Sequence, residues 1–338
     1  MHESLATTKP CGQLVHIPGL PPMYDWEFYP QDVGIKTDVI LAAEVRMSKF
    51  INEADGLLTN SSIAYDGHEC LHSISQWIAR RGDRKTFHLG PMMPFEPGAH
   101  RFSQSAIEAE LASMPSSEGM QTVQFLDQAL EAHGPRSVVY ISFGTEHWPK
   151  SMDQVQVLLT TLTQRRIPFL FTYAFPGATL PDVMLAEFSH LGLFVRYGPQ
   201  QTILGHPACG WFLTHGGMNG SIEALSQGIP LIGWPFAVDQ PVNIARLTRV
   251  LDIGFELVEV RSGDYGLQPL HYRDQAPTGT FSALEKELAE VFDTMLGEEG
   301  KKKRANAEKL RDEMARSWLE GGAAWKEFES FLDFWIRG

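Results

Sequence analysis

From residue 137 onward, apolar residues come in short unbroken blocks separated by segments of helical periodicity. SVVYISFG (137–144) is a continuous β-branched and aromatic run ending in glycine, the pattern of a strand buried on both faces. In the segment that follows, Val155, Leu158, Leu159 and Leu162 share one helical face, and Ser151 stands where an N-cap belongs. IPFLFTY (167–173), LFVRYG, GWFLTHG and IPLIGWP read as further buried strands, with PQQTILGH and NGSIEALSQG as short helices between the later ones. A helix over 240–251 leads into GFELVEV, and helices over 281–296, 301–319 and 323–335 close the chain. Buried strands alternating with helices predict a doubly wound parallel α/β sheet, which binds ligands beyond the carboxyl ends of its strands.

The pattern before residue 130 is weaker. Pro18, Pro21, Pro22 and Pro30 favour extended or turn conformations over helix. Helices are predicted over 39–53 and 65–80, with a short apolar run at 56–58 between them. The stretch 91–119, rich in Pro, Ser, Gly and Met, reads as an interdomain linker or mobile loop. No internal repeat is visible.

Composition narrows the function. The 338 residues fit about two domains, at ~150 residues each. With 43% hydrophobic and 20% charged residues, the chain resembles an ordinary folded protein and not a disordered one. Lys and Arg number 28 against 41 Asp and Glu, a net charge of −13 that repels phosphate backbones, so no nucleic-acid partner is expected. Cys11, Cys70 and Cys209 lie far apart, which encodes neither a disulfide framework nor a zinc site. No apolar run reaches the ~18 residues of a membrane span, and the first residues lack the pattern of a signal peptide. No transmembrane segment and a cytoplasmic location are therefore the expectation.

The densest chemistry lies between residues 197 and 243. GWFLTHGG reads as a buried strand that stops at His215 and opens a Gly216–Gly217 turn, after which NGSIEAL begins a helix. Free backbone N–H groups and the positive end of the helix dipole suit a phosphate or diphosphate there. His215 adds a donor, Asn219 and Ser221 add side-chain hydrogen bonds, and Glu223 brings a carboxylate toward sugar hydroxyls. Taken by itself, the same stretch reads first as a tight turn, with His215 a capping or packing residue. Asp239 alone reads as a helix N-cap, Trp234 as core and His206 as structural.

The stretch is not isolated. Tyr197, Pro199 and Gln200, then His215, Gly217, Asn219 and Gly220, then Glu223, Trp234–Pro235 and Asp239–Gln240 resemble the signature of the UDP-glycosyltransferases of plant and fungal natural-product chemistry. SFGT (142–145), GPMMP (90–94) and the closing GGAAWKEFESFL fit the same family. The resemblance implies a GT-B fold. One complete Rossmann-like C-terminal domain (129–317) would bind UDP-sugar, a partial N-terminal lobe with linker (1–128) would serve the acceptor, and the last helix (318–338) would pack back on that lobe.

It also implies roles. Tyr197 stands where a Trp stacks on uracil, and Gly198 and Gln200 would contact the uracil edge and the ribose. Glu223 would accept from ribose hydroxyls. Ser142 belongs to the same site, where Thr145, His215, Gly217, Asn219 and Ser221 would hold the diphosphate. Asp239 and Gln240 would bond the sugar. Gly220 replaces the usual Ser, which removes one phosphate contact, and Met218 replaces a frequent Trp.

The implied reaction is an inverting transfer of a hexose, expected to be glucose, to a hydroxyl of a small lipophilic acceptor, with no metal and no cofactor. In the family a His on the first strand-to-helix loop of the N-terminal lobe takes the acceptor's proton and an Asp orients it. HIPGLPP, LLTNSSIAYDGHE and HLGPMMP resemble only the later part of that lobe, so no catalytic residue is expected in this numbering. His2 and His16 do not follow an apolar strand that opens a helix, and the His68/His72 pair reads as a solvated helix face. The chain is accordingly expected to be inactive alone. The alternatives are a nucleotide-sugar-binding subunit whose missing half-lobe comes from a partner chain, and a noncatalytic UDP-sugar binder.

Overall fold

The computed structural model describes residues 9–33, 37–80, 82–93, 102–114 and 116–337. A two-residue hairpin, β1 (Leu14–Val15) against β2 (Met23–Tyr24), and a 3-10 turn at Asp25–Phe28 accommodate the early prolines. Next come α1 (Thr37–Glu53), β3 (Gly56–Thr59), α2 (Ile63–Ala79) and β4 (Lys85–His88), with β3 and β4 paired in parallel. Helices α3 (Gln104–Ala112) and α4 (Ser116–His133) then lead into the main sheet.

That sheet is built from β5 (Val138–Ser142), α5 (Met152–Gln164), β6 (Phe169–Thr172), α6 (Asp182–Phe188), β7 (Gly192–Val195), α7 (Gln200–Gly205), β8 (Cys209–Thr214), α8 (Met218–Ser226), β9 (Leu231–Gly233), α9 (Gln240–Ala245) and β10 (Gly254–Glu256). A π-helical turn at Arg246–Val250 extends α9. The short α10 (Gly263–Gly266) and the long α11 (Phe281–Leu296), α12 (Glu298–Ser317) and α13 (Ala323–Leu332) complete the chain.

The six strands run in parallel in the order β10-β9-β8-β5-β6-β7. This is the Rossmann order, with its reversal between β5 and β8. Alternation along β5 shows why the sheet is buried on both sides. Val139 and Ile141 pack with Leu158, Leu162, Leu288 and Phe292, while Val138 and Tyr140 pack with Phe212, Leu225, Leu310 and Met314. The predicted apolar face of α5 is the observed one, with Val155, Leu158, Leu159 and Leu162 all at 0% exposure.

Three local expectations are corrected. The stretch 91–119 is not a structureless linker: α3 and the first turn of α4 lie within it, although 94–101 and 115 are outside the described residues. Ser103 caps α3 by accepting from the Ala106 N–H (3.2 Å), and Phe102 beside it is buried. Tertiary burial overrides a composition that favours loops. Ser151 occupies the N-cap position of α5, but its hydroxyl makes no capping bond. Helix α6 has no counterpart in the sequence reading; Met184 and Phe188, two buried residues on seven, are too short a pattern to register.

The N-terminal segments are tied to the main sheet by polar contacts to backbone. Arg246 donates from Nε to the Tyr65 carbonyl (2.7 Å) and from Nη1 to the Gly19 carbonyl (2.7 Å). The Gln31 side chain donates to the Pro235 carbonyl (2.7 Å), and the Trp318 indole donates to the Pro91 carbonyl (2.7 Å). Helix α13 lies on β4: Phe331 meets Phe87 edge-on at 5.5 Å, and Glu327 accepts from the His88 N–H (3.2 Å). Among the described residues, no helix is long and apolar enough to cross a membrane.

Candidate functional site

The site lies at the carboxyl ends of β5 and β8, where the strand order reverses and the loops diverge to leave a crevice. Strand β8 is wholly buried up to Thr214, and the chain then turns through Gly216 with φ +82°. A Cβ on Gly216 would lie 2.6 Å from Ile244 Cγ1, so both conformation and space demand glycine. Asn243 locks the turn by donating to the Gly216 carbonyl (2.9 Å). Across the crevice, Gly144 has φ +74°, and a Cβ on it would come within 2.9 Å of His215 Cε1. The β5 loop and the β8 turn therefore close on one imidazole.

Burial, with His147 nearby, pushes His215 down to about 4, while a hydrogen bond with the Ser142 backbone and the charge of Asp239 pull the other way. At neutral pH the ring is uncharged and stands beside the N-terminus of α8, where a Cβ on Gly217 would collide with its Nε2. Asn219 on the first turn of α8 and Thr145 on the β5 loop are exposed, Gly217 is the N-cap, and Ser142 is buried beneath them.

A second cluster stands beside the first, on the β7 side of the sheet. Tyr197 follows β7, is 49% exposed, and donates its N–H to Glu118 Oε2 (3.4 Å). Gly198 is cramped, since a Cβ there would be 2.7 Å from Thr172 Cγ2. Gln200 opens α7; it accepts from the Tyr140 hydroxyl (3.1 Å) and donates to the Glu223 carboxylate. Burial raises the Glu223 carboxyl, and its bonds to Gln200 and Gln201 counter that shift. Gly220 joins the clusters, because a Cβ on it would touch Gln200 Nε2 at 3.6 Å.

Two residues are placed otherwise than the resemblance implies. Ser221 is 0% exposed with its hydroxyl sealed inside the domain, away from the surface shared by His215, Asn219 and Thr145. Gln240 is 3% exposed, and its carbonyl oxygen accepts from Phe236 N–H (2.8 Å) and Ala237 N–H (3.1 Å), which commits it to the turn after β9. Asp239 remains exposed before α9 and accepts from Asn243 (2.7 Å); it holds the N-cap position without making a cap bond. Met218 is partly exposed and Trp234 fully buried.

Three side chains at the site escape the sequence reading. Tyr140 stacks on Phe212 (4.8 Å, 9°) and aims its hydroxyl at Gln200; Asn243 holds the glycine turn; His147 lies beside Gln240 and His215. His147 follows SFGT at the carboxyl end of a buried strand, and that position was the signal available for it. Of the other histidines, His68 and His72 are exposed on α2, His16 is exposed, and His206 bridges Asp127 (3.1 Å) and the Ala208 N–H (3.2 Å).

This arrangement can be set against known proteins. The family model described as UDP-glucoronosyl and UDP-glucosyl transferase matches residues 111–260. UDP-glycosyltransferase eriJ of Hericium erinaceus is 30% identical over 329 residues, an alignment that takes in 96% of this chain and 62% of eriJ. The chain resembles the UDP-glycosyltransferases. Solved structures agree on the GT-B fold. Phytolacca americana UGT2, complexed with UDP-2fluoro-glucose and pterostilbene, superposes with a TM-score of 0.67 at 22% identity, over 99% of this chain and 64% of that one. A UGT transferase from Siraitia grosvenorii in complex with UDP gives 0.69 at 20% identity, over 95% and 68% respectively. The chain thus spans a little under two thirds of the length of eriJ and of the Phytolacca protein.

Proposed function

We infer that the crevice binds a UDP-sugar and serves the inverting transfer of a hexose, glucose in the first instance, to a hydroxyl of a small lipophilic acceptor. The observation that carries this is the convergence of an uncharged His215, the open N-terminus of α8 and the Gly144 loop at the switch point of the sheet. Tyr197 and the glycine turn at Gly216 lie 19 residues apart in the chain, and the Gln200–Glu223 bond joins the two halves of the site through space.

In this reading Tyr197 offers a stacking face for uracil, Gly198 leaves room at its edge, and Gln200 with Glu223 meets the ribose. His215, Thr145, Asn219 and the backbone at Gly217 and Gly220 hold the diphosphate, stabilising the charge that develops on the leaving UDP. Asp239 faces the sugar. These groups are donors and dipoles fixed before the substrate arrives, and none of the roles calls for a metal or a further cofactor. Ser142 acts beneath the site by steadying His215, and the buried Ser221 and Gln240 shape the helix starts around it. The division of the chain at 128/129 and 317/318 belongs to the same proposal. No residue described here is assigned as the acceptor's base.

Titration calorimetry of the chain with UDP tests the reading. Replacing His215 by Ala removes a hydrogen bond to a charged group, ~1.5–3 kcal/mol, and is expected to raise the Kd roughly 10- to 150-fold. Unchanged affinity in a folded His215→Ala variant rejects the role given to that residue.

A further inference from the structure

We propose that His147 is a second imidazole contact of the donor site, that it holds the β-phosphate, and that Gln240 is the positioning residue that fixes its tautomer. The inference rests on the UDP-sugar reading above.

The geometry runs from the turn outward. The Gln240 carbonyl oxygen is held by two backbone N–H groups, at 2.8 Å from Phe236 and 3.1 Å from Ala237, so the amide can face only one way. Its nitrogen then points at His147 Nδ1, 3.2 Å away, with hydrogens to give and nothing to accept. Nδ1 must therefore be the acceptor, which in a neutral imidazole leaves the proton on Nε2. The ring plane is fixed as well, because His147 stacks on Phe236 at 5.8 Å with 22° between the planes. The result is an N–H donor whose tautomer and orientation are set before any ligand arrives.

Its position selects the ligand atom. The charged and titratable neighbours of His147 are Glu146 on its own loop, Asp239 ahead of α9 and His215 at the end of β8. His215 stands on the diphosphate side of the site and Asp239 on the sugar side. The part of a UDP-sugar that lies between the α-phosphate and the sugar is the β-phosphate. Burial holds both imidazoles uncharged without ligand, and a diphosphate anion placed between them favours their protonated forms. A purely packing role for His147 would need the stack on Phe236 but not the free N–H.

UDP and UMP, which differ by the β-phosphate alone, separate these roles. Calorimetry on the chain is run with the wild type, His147→Phe, which can keep the stack but has no donor, and His147→Gln, which keeps an N–H; His215→Ala is the reference. Thermal unfolding confirms that each is folded, and His147→Leu, which also has no donor, replaces the Phe variant should that one fail to fold. The expected result is a rise in UDP Kd of about tenfold or more in His147→Phe, unchanged UMP affinity, and partial recovery with glutamine. Equal UDP affinity in wild type and His147→Phe, or equal losses for UDP and UMP, overturns the proposal. If His215→Ala still weakens UDP in that case, the donor-site reading stands without His147. A wild-type chain that binds neither nucleotide overturns the donor-site reading and this proposal with it.

Discussion

Replacing Gln240 by Leu should unfold the protein more easily, whatever it does to sugar transfer. Gln240 is 3% exposed, and its carbonyl oxygen is the acceptor for two backbone donors, Phe236 N–H and Ala237 N–H. Leucine fills a similar volume, offers no acceptor and keeps water out. Each buried donor left without a partner costs ~1–3 kcal/mol, so the loss should be roughly 2–6 kcal/mol, a large share of a typical domain's stability. Loss of the amide's bond to half-buried His147 adds less, since water can replace it there. Gln240→Ala opens space in which a water can satisfy both N–H groups, and it should lose less than the leucine variant. Gln240→Glu retains an oxygen for the same two donors. Urea unfolding at neutral pH, followed by tryptophan fluorescence and far-ultraviolet dichroism, gives the comparison. A leucine variant as stable as wild type, or less affected than the alanine variant, refutes the reasoning. The practical consequence is that lost transfer in a Gln240 variant cannot be assigned to the sugar unless the fold is measured beside it.

Two further outcomes follow from the same crevice. Burial brings His215 to about 4, below the ordinary histidine value near 6.5, so the folded state binds its proton less readily than the unfolded chain does. The associated stability is whole above about pH 6.5 and is lost as pH falls from there toward 4, by at most about 3 kcal/mol. His215→Gln should flatten that part of the stability profile in urea titrations, and parallel wild-type and variant curves over this range would falsify the assignment. Gly144→Ala places a Cβ at φ +74° and against His215 Cε1, so stability should fall by about 1–3 kcal/mol and UDP affinity should fall in the same variant. Normal UDP binding in Gly144→Ala would show that the loop does not set the position of His215.

Much of the main sheet was legible because its signals are local. Runs such as SVVYISFG and GWFLTHGG need no distant partner to be read as doubly buried strands, and Gly216 announces its turn by its own conformation. The stretch 91–119 misled for the converse reason. Serine and glycine report weak local preference, whereas α3 is anchored by burial of Phe102 and by Glu110, which accepts from the N–H groups of Gln201 (2.8 Å) and Thr202 (2.9 Å) far along the chain. Ser221 shows the same limit within the signature itself. Its spacing suits a ligand contact, but the twist of α8 turns its hydroxyl into the interior.

The sequence by itself determined the doubly wound α/β class, the position of the glycine turn between β8 and α8, and the resemblance to the UDP-glycosyltransferases. Each follows from residue type and spacing over a few turns of chain, the range over which period and backbone preference act. Only the tertiary structure decided how the Gln240 amide faces, that Tyr140 supports Gln200, and that His147 joins His215 at the crevice. Those facts depend on hydrogen-bond partners brought together from separate loops, and the direction of a hydrogen bond is settled by everything that surrounds it.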